Sequence, residues 1–167
     1  NAEFMDCKII NCYNSGDING TRNLGGITGG HYNQYYPNQL HMLDIVNSYN
    51  TGKVSATKNI AGIIGWQVDL YNARTNIINC YNNGEIVGEE TLAGIGIFKN
   101  PKPEAYLRYC YNLFSFSNAP EIARGYVDVA DHCYSITNNR FSTEPTVETN
   151  LGIIDSSQNL TPGVTIN

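Results

Sequence analysis

The cysteines are the residues whose chemistry the sequence puts forward first. The chain has five, an odd number, so they cannot all pair within it. Four share one position in a recurring motif: Cys12, Cys80, Cys110 and Cys133. Stacked parallel strands lie ~4.8 Å apart, farther than the usual Cβ separation of a disulfide, and there is no C-x-x-C pair for zinc. We therefore predict buried free thiols, with a disulfide through Cys7 or a metal column as alternatives.

The histidines form no recognisable catalytic motif. They are His31, His41 and His132, and none belongs to an H-E-x-x-H string of a zinc protease. His132 precedes Cys133, but no third partner is evident for cysteine-protease chemistry. We predict that they are neutral structural or solvated residues.

The carboxylates are spread along the chain in a way that does not favour catalysis. Glycoside hydrolysis needs two carboxyl groups within roughly 5–10 Å of each other. One repeat position is occupied by Asp17, Lys53 and Glu85 in the three copies, so the sign of the charge alternates from copy to copy. Glu89-Glu90 is isolated from these residues in the sequence. We therefore predict no catalytic residues, no metal ligands and no cofactor. A β-helix carbohydrate-active enzyme, such as a polysaccharide lyase or hydrolase, is the alternative.

Aromatic residues in two connections are the best indication of a binding site. They lie in or beside the segments 31–43 and 67–75 and are Tyr32, Tyr35, Tyr36, Trp66 and Tyr71. Aromatic faces beside Asn and Gln suit sugars, through stacking and amide hydrogen bonds, and they suit protein partners equally well. We predict one exposed ligand-binding patch. The alternative is that the rings pack down over the edge of the fold.

Composition excludes several classes of partner. The 167 residues carry a net charge of −5, whereas nucleic acid or an anionic membrane surface would need a basic patch. No apolar run approaches the ~20 residues of a membrane span. Hydrophobic residues make up 41% and charged residues only 15%, so Asn, Ser, Thr, Tyr and Gly must supply much of the surface. These residues favour strands and turns over helices. The abrupt start at Asn1-Ala2 suggests a fragment or processing boundary.

An internal repeat organises the chain. Three segments align without a gap: "NCYNSGDINGTRNLGGITGG" from Asn11, "NSYNTGKVSATKNIAGIIGW" from Asn47 and "NCYNNGEIVGEETLAGIGIF" from Asn79. A fourth copy from Tyr109 is degenerate, and a fifth from His132 is a stub. The tyrosines of the five copies are separated by 36, 32, 30 and 23 residues. Such recurrence is typical of stacked structural units.

Each repeat consists of short apolar pieces broken by Asn-Gly, Ser-Gly or Gly-Gly. Pieces of three to six residues predict short strands with corners, and no repeat shows a sustained helical periodicity. A unit of ~30 residues with three strands and three turns predicts one coil of a right-handed parallel β-solenoid. We expect about four coils and a C-terminal cap. A β-trefoil or β-propeller blades are alternatives, but these need longer hairpin strands.

The motif also predicts which side chains point inward. Period-two alternation assigns Ile10, Cys12 and Asn14 to the interior. One interior column then contains Cys12, Ser48, Cys80, Cys110 and Cys133, and a ladder of stacked amides follows at the corner, formed by Asn14, Asn50, Asn82 and Asn112. Gly16, Gly52 and Gly84 come two residues later, where we expect φ > 0. The third face is expected to contain Leu24, Ile60, Leu92 and Ile122.

These residues resemble a known family. The combination of "NCYNxG", a short β-branched step and "[LI][AG]GI" resembles the GLUG repeats of bacterial surface proteins, which occur beside adhesin modules and in some cell-surface peptidases. The resemblance covers residues 7–98 well, 106–127 weakly and 138–167 not at all. It implies an extracellular repeat region with a scaffold or adhesion role and brings no catalytic residues. Trp66 and Phe98 depart from the glycine-rich pattern.

The sequence thus predicts a solenoid over residues 1–137, with coils near 7–30, 43–66, 75–98 and 106–127 and a stub at 132–137. Residues 138–167 are expected to form a cap or a linker to a next module. The predicted function is a non-catalytic extracellular or cell-surface module that binds host or matrix glycans or surface proteins. A pure structural spacer is a further alternative.

Overall fold

The computed structural model describes residues 5–33, 40–69, 73–99, 104–114, 116, 119–137, 139–149 and 151–153. Over these ranges the chain forms strands and turns without a helix. It follows that none of the described segments is a helix able to cross a membrane. The strand pairings are parallel, so the expected all-β fold with parallel strands is confirmed.

The strands fall into successive units that follow the sequence repeats. The first unit contains β1 (Met5–Ile10), β2 (Tyr13–Asn14), β3 (Ile18–Asn19), β4 (Arg22–Gly25) and β5 (His31–Asn33). The second contains β6 (His41–Val46), β7 (Tyr49–Asn50), β8 (Val54–Ser55), β9 (Lys58–Ala61) and β10 (Ile64–Asp69). The third contains β11 (Ala73–Ile78), β12 (Tyr81–Asn82), β13 (Ile86–Val87), β14 (Glu90–Ala93) and β15 (Gly96–Phe98). The fourth contains β16 (Glu104–Arg108), β17 (Tyr111–Asn112) and β18 (Ala123–Gly125), and β19 (Val129–Asp131), β20 (Tyr134–Ser135), β21 (Val147–Thr149) and β22 (Gly152–Ile153) follow.

Corresponding strands of successive units lie side by side in five sheets. Sheet 1 has the order β1-β6-β11-β16-β19-β21, and sheet 2 has the order β2-β7-β12-β17-β20-β22. Sheet 3 is β13-β8-β3, sheet 4 is β14-β9-β4, and sheet 5 is β18-β15-β10-β5. This arrangement is consistent with a β-solenoid.

Register in these sheets follows the repeat. In sheet 2 the motif tyrosines pair with one another in series: Tyr13, Tyr49, Tyr81, Tyr111 and Tyr134. These pairings have the same offsets as the copies in the sequence. Parallel in-register pairing places identical side chains above one another, so any side-chain type that recurs in the motif becomes a column.

The inward–outward alternation of side chains is interrupted at the junction of sheets 1 and 2. Ile10 therefore points outward, and the prediction that it points inward is wrong. Ile10 is 49% exposed, whereas Ile45 and Ile77, which align with its neighbour Ile9, are fully buried. The cause is Asn11, whose φ of 56° turns the chain between the two strands. An interruption of extended backbone shifts the period-two pattern by one residue. The inward series is therefore Ile9, Cys12 and Asn14.

The left-handed positions of the corners also differ from the prediction. They fall on residues that recur at two repeat positions: Asn11, Asn47, Asn79, Tyr109 and His132 at the first, and Asn23, Asn59 and Thr91 at the second. Asparagine tolerates this region because its short side chain hydrogen-bonds locally. Gly16, Gly52 and Gly84 were expected there, but Gly125 is the one described glycine with positive φ.

The interior contains two apolar clusters. The main core is built from sheets 1 and 5 and the segments beside them, and includes Ile45, Ile77, Phe98 and Leu107. The second core is smaller and contains Val54, Ile60 and Ile86 from sheets 3 and 4. Each aliphatic side chain that is fully buried stabilises the fold by ~1.5–3 kcal/mol.

Ile122 lies in a different place from that predicted by the gap-free alignment. The alignment predicts that Ile122 lies on the same face as Leu92, which packs against the second core. The structure instead places Ile122 in the main core, where its carbonyl accepts a hydrogen bond from the backbone N–H of Ile95 at 2.8 Å. The fourth unit reaches this point with fewer residues than the first three units. Its side chains therefore no longer match the repeat positions that the alignment assigns to them.

Strands continue beyond the last recognisable motif. β21 and β22 lie in the stretch for which the sequence predicts a cap or linker. β21 pairs in parallel with β19, and β22 pairs in parallel with β20. Phe141 adds an isolated bridge to Ala123. The described residues of this stretch, 139–149 and 151–153, thus extend sheets 1, 2 and 5.

Candidate binding surface

The interior asparagines form a continuous hydrogen-bonded column. Asn14 Nδ2 donates to Asn50 Oδ1 at 2.8 Å, Asn50 Nδ2 to Asn82 Oδ1 at 2.9 Å, and Asn82 Nδ2 to Asn112 Oδ1 at 2.9 Å. The last three of these asparagines are completely buried. Each side-chain amide also donates to the carbonyl two residues ahead, at Gly16, Gly52, Gly84 and Phe114. The column therefore closes the turns and joins the units.

Three of the four motif cysteines are completely buried: Cys80, Cys110 and Cys133. The five cysteines are free thiols. Burial raises the pKa of Cys80 to about 12 and that of Cys110 well above its ordinary value. Because the thiolate is the nucleophile and metal ligand, these two groups are chemically inert at neutral pH. Their role is to pack the main core.

Cys12 holds the same inward position at the end of the column, but it does not share the burial that was predicted for it. It is exposed, as is Cys7, whereas Ser48 at the same repeat position is buried. The reason is position in the stack. Cys12 belongs to the first unit, and no described strand lies on the outer side of that unit to cover it.

Of the five aromatic residues predicted to form a ligand patch, the structure describes two. Tyr32 on β5 is 59% exposed and pairs with Val68 of β10. Trp66 lies two residues before Val68, so it faces the same side of sheet 5 as Tyr32. Tyr35, Tyr36 and Tyr71 lie outside the described residues.

Trp66 is half-buried and much of its surface is already in contact with the protein. It packs against a small cluster of Ala61, Ala93 and Ile97. The Lys99 ammonium lies 5.1 Å from the centre of the ring system, in a cation–π contact. The indole is therefore largely a packing element of this edge, and Tyr32 is its accessible aromatic ring.

A second aromatic surface was not predicted as a site. The motif tyrosines Tyr13, Tyr49, Tyr81 and Tyr111 stack in series on the outside of sheet 2. Their ring centroids are 5.4, 4.8 and 4.9 Å apart, with interplanar angles of 12°, 4° and 4°. Exposure falls from 65% at Tyr13 to 9% at Tyr111. One feature of the sequence could have predicted this surface: tyrosine recurs at one repeat position, next to the inward-facing asparagine.

An outer column of amides runs beside these rings. Asn47 Nδ2 donates to Asn11 Oδ1 at 3.2 Å, and Asn79 Nδ2 donates to Asn47 Oδ1 at 2.8 Å. Tyr109 and His132 continue the same repeat position, and their rings stack 4.7 Å apart. We call the stacked tyrosines and this outer amide column together the tyrosine–asparagine face. It offers ring edges and amides at a regular spacing, and the accessible phenol is at its Tyr13 end.

Carboxylates at the repeat positions are matched with cations of the neighbouring unit. Lys53 Nζ lies 3.0 Å from Glu85 Oε2, and its backbone N–H donates to Asp17 Oδ1 at 3.3 Å. Lys58 and Glu90 form a further ion pair at 2.7 Å. Across the described ranges, no three His, Cys, Asp or Glu side chains are grouped as metal ligands would be.

A buried polar cluster lies where sheets 1 and 5 approach each other. His31 Nδ1 is 3.1 Å from Thr75 Oγ1, and Gln67, which pairs with His31 across sheet 5, is completely buried. Burial, with a smaller contribution from nearby His41, lowers the pKa of His31 to about 4. The imidazole of His31 is therefore neutral at physiological pH.

No family model matches the chain, and no curated protein or solved structure is significantly similar to it.

Proposed function

We propose that this chain is a non-catalytic repeat module of a bacterial surface protein, extracellular or held at the cell surface. Its role is adhesion, through binding of glycans or surface proteins of a host or matrix. The sequence resemblance to GLUG repeats supports the setting. The architecture proposed with it is a right-handed β-solenoid of about four coils with a C-terminal cap.

The observation that carries this proposal is the stack of Tyr13, Tyr49, Tyr81 and Tyr111 on the outside of sheet 2. Tyrosine buries a large area and still offers a hydroxyl at its tip, so it is enriched where proteins bind partners. The amides of Asn47 and its neighbours add donors and acceptors along the same line.

A rigid support makes such a surface effective. The interior column from Asn14 to Asn112 ties successive units at one point, and the buried aliphatics fill the space behind it. A partner that contacts several tyrosines therefore meets groups already held in place. Binding then costs little ordering entropy, which is the main advantage of a preorganised site.

Glycans and proteins would use this face differently. The central rings stack on one another and the Tyr81 hydroxyl is buried, so mainly ring edges are accessible there, whereas Tyr13 at the end of the stack and Tyr32 on sheet 5 are the more open rings. A saccharide would stack on Tyr13 or Tyr32 and hydrogen-bond to the amides. A protein would cover the whole tyrosine–asparagine face.

The test is binding of the full chain to a glycan array and to immobilised matrix proteins. The variants are Tyr13→Ala and Tyr32→Ala, with Tyr126→Ala as the matched control, because Tyr126 is 45% exposed and lies outside both surfaces. We expect Tyr13→Ala or Tyr32→Ala to lose binding that Tyr126→Ala retains. If the parent chain binds no glycan and no matrix protein, the module is a spacer. If Tyr126→Ala loses binding as fully as the other two, the assignment to these surfaces is wrong.

A further inference from the structure

The first unit forms one end of the stack. Residues 5–33 are described without a gap, and β1, β2, β3, β4 and β5 each lie at the edge of their sheets. Among the described strands, none lies on the outer side of this unit. An uncovered strand edge offers hydrogen-bonding groups to another chain, and repeat proteins normally close their ends with a polar cap. This end is therefore a candidate interaction surface.

Side chains of the interior are accessible at this end. Cys7 and Cys12 are exposed, although Leu43 and Ser48 at the same positions of the second unit are buried. The aliphatic positions show the same difference. A partly buried residue of the first unit lies beside a fully buried residue of the second in the pairs Ile9–Ile45, Ile18–Val54 and Leu24–Ile60. The apolar interior thus continues to the surface here.

The backbone of the first unit has donors that the second unit uses. The N–H groups of Tyr49 and Thr51 each donate to a carbonyl of the first unit, at 3.1 and 2.9 Å. The corresponding N–H groups of the first unit are those of Tyr13 and Ser15, and neither has a backbone acceptor among the described residues. Both residues are exposed. Two backbone donors therefore point away from the stack.

The inner asparagine column ends here with room for one more donor. Asn82 Oδ1, inside the stack, accepts hydrogen bonds from Asn50 Nδ2 at 2.9 Å and from the Gly84 N–H at 3.2 Å. Asn14 Oδ1 accepts the Gly16 N–H at 3.2 Å and, in the described part of the chain, no side-chain amide. Because every amide of this column donates in the same direction, a covering unit would have to supply the donor.

The two other asparagine columns run in the opposite direction. Asn47 Nδ2 donates to Asn11 Oδ1 at 3.2 Å, and Asn59 Nδ2 donates to Asn23 Oδ1 at 2.7 Å. The Nδ2 groups of Asn11 and Asn23 have no acceptor within the described ranges. The end of the first unit therefore needs one amide donor and two acceptors, which asparagines at the same three repeat positions would provide.

Two charged side chains specify the partner further. Asp17 accepts the backbone N–H of Lys53 but forms no ion pair among the described residues. Arg22 is exposed and lies opposite another cation, Lys58, across sheet 4. A unit that covers this end should therefore have a basic residue beside Asp17 and an acidic residue beside Arg22.

We propose that this end is a docking surface for one repeat unit of a partner protein. The unit has the pattern aliphatic–x–Asn–small–x–Asn, with a basic residue three positions later and an acidic residue five positions after that. It lies parallel to the first unit. Its inner asparagine donates to Asn14 Oδ1, its carbonyls accept the N–H groups of Tyr13 and Ser15, and its apolar side chains cover Cys7 and Cys12. Addition of strands to an exposed sheet edge is a common mode of recognition.

Charge argues against a second copy of this chain as the occupant. The first unit has Asp17 and Arg22 at the two charged positions, the second has lysine at both, and the third has Glu85 and Glu90. None of these units combines a basic residue at the first position with an acidic residue at the second. The docking also goes beyond the function proposed above, because it uses the end of the stack and not its side.

The probe is a fluorescein-labelled peptide with the sequence of residues 41–63 and the change Lys58→Glu, so that it carries the required pair of charges. The control peptide has Lys53→Glu and retains Lys58, so the two peptides have the same composition. Fluorescence anisotropy measures binding to the full chain. We expect saturable binding of the probe and about tenfold weaker binding of the control. Asn50→Leu in the probe removes the donor to Asn14 and should also weaken binding about tenfold.

A charge exchange in the protein tests the same contacts from the other side. The variant Asp17→Lys/Arg22→Glu has the net charge of the parent and should prefer the control peptide to the probe. The comparison of the two peptides on the parent chain tests the proposal independently of this variant. Absence of saturable binding of the probe, equal binding of both peptides by the parent, or an unchanged preference in the variant overturns the proposal.

The exposed thiols report where the peptide binds. Neither peptide contains cysteine, so the reaction of Cys7 and Cys12 with Ellman's reagent can be followed in their presence. The probe at saturation should protect both thiols. Unchanged reaction rates would place the peptide elsewhere and overturn the proposal. A dimer of the chain in sedimentation velocity, dissociated by the probe, would assign this end to a second copy and also overturn it.

Discussion

Asn82 Nδ2 donates to Asn112 Oδ1 in the next unit at 2.9 Å and also to the carbonyl of Gly84 in its own turn at 3.0 Å. One buried amide thus holds a corner closed and fixes the register of two units. The same arrangement recurs at Asn14 and Asn50. Loss of Asn50 or Asn82 would leave partners on both sides without a hydrogen bond.

We therefore expect Asn82→Leu to be among the most destabilising substitutions in the chain. It leaves the donor of Asn50 and the acceptor of Asn112 buried and unsatisfied, and each such group costs ~1–3 kcal/mol. The unfolding free energy should fall by at least ~3 kcal/mol. Urea unfolding followed by circular dichroism measures it. Asn83→Ser, at the adjacent exposed position, should stay within ~0.5 kcal/mol of the parent; equal losses in the two variants would contradict a structural role for the column.

Glycines at one repeat position should differ sharply in their tolerance of alanine. A Cβ on Gly84 would overlap the carbonyl oxygen of Gly52, whereas the nearest atom to a Cβ on Gly16 is Asn14 Oδ1 at 3.8 Å. We expect Gly84→Ala to lower the melting temperature strongly. Gly16→Ala should leave it unchanged or raise it, because alanine restricts the unfolded chain by ~0.4–1 kcal/mol. Similar melting temperatures for the two variants would show that close contact between units is not what requires glycine.

Thiol reactivity should divide the cysteines into two groups. Cys7 and Cys12 are exposed, whereas Cys80, Cys110 and Cys133 are buried. In an Ellman assay of the native protein at pH 8, two thiols should react rapidly and the other three only after denaturant is added. Cys12→Ser should remove one fast-reacting thiol, while Cys110→Ser should leave both fast-reacting thiols in place. Rapid reaction of all five in native protein would be incompatible with the buried column.

Stability should decrease in mild acid because of His31. Burial and nearby His41 hold its pKa at about 4 in the folded protein, against an ordinary value of 6.5. The unfolded chain therefore takes up a proton at a higher pH than the folded chain. The stabilising contribution is complete above pH 6.5 and is lost as the pH falls toward 4. His31→Gln should flatten this part of the curve of unfolding free energy against pH, and an unchanged slope in this variant would contradict the role of His31.

Removal of a hydroxyl from the tyrosine stack should be stabilising at one position. The hydroxyl oxygen of Tyr81 is buried and lacks a hydrogen-bond partner among the described residues. Tyr81→Phe keeps the ring between Tyr49 and Tyr111 and removes the unsatisfied group, so we expect a gain of ~1 kcal/mol in unfolding free energy. Tyr13→Phe, at the exposed end of the stack, should have no measurable effect. A loss of stability in Tyr81→Phe would indicate that the hydroxyl has a partner.

The sequence by itself determined the all-β parallel architecture and the register between units. Gap-free copies of one motif can stack only with like residues above like. The pairing of the motif tyrosines and the hydrogen bonds between Asn14, Asn50, Asn82 and Asn112 follow from that repetition. These features depend on local pattern, which is present in every copy.

Only the tertiary structure decided which side chains are accessible. The left-handed turn at Asn11 reverses the orientation of Ile10, and the open side of the first unit exposes Cys12. The contact of Lys99 with Trp66 likewise depends on where distant segments meet. The periodicity of the sequence specifies which residues repeat. It carries no information about where a stack ends or where one unit is shorter than the others, and the accessible surfaces depend on those features.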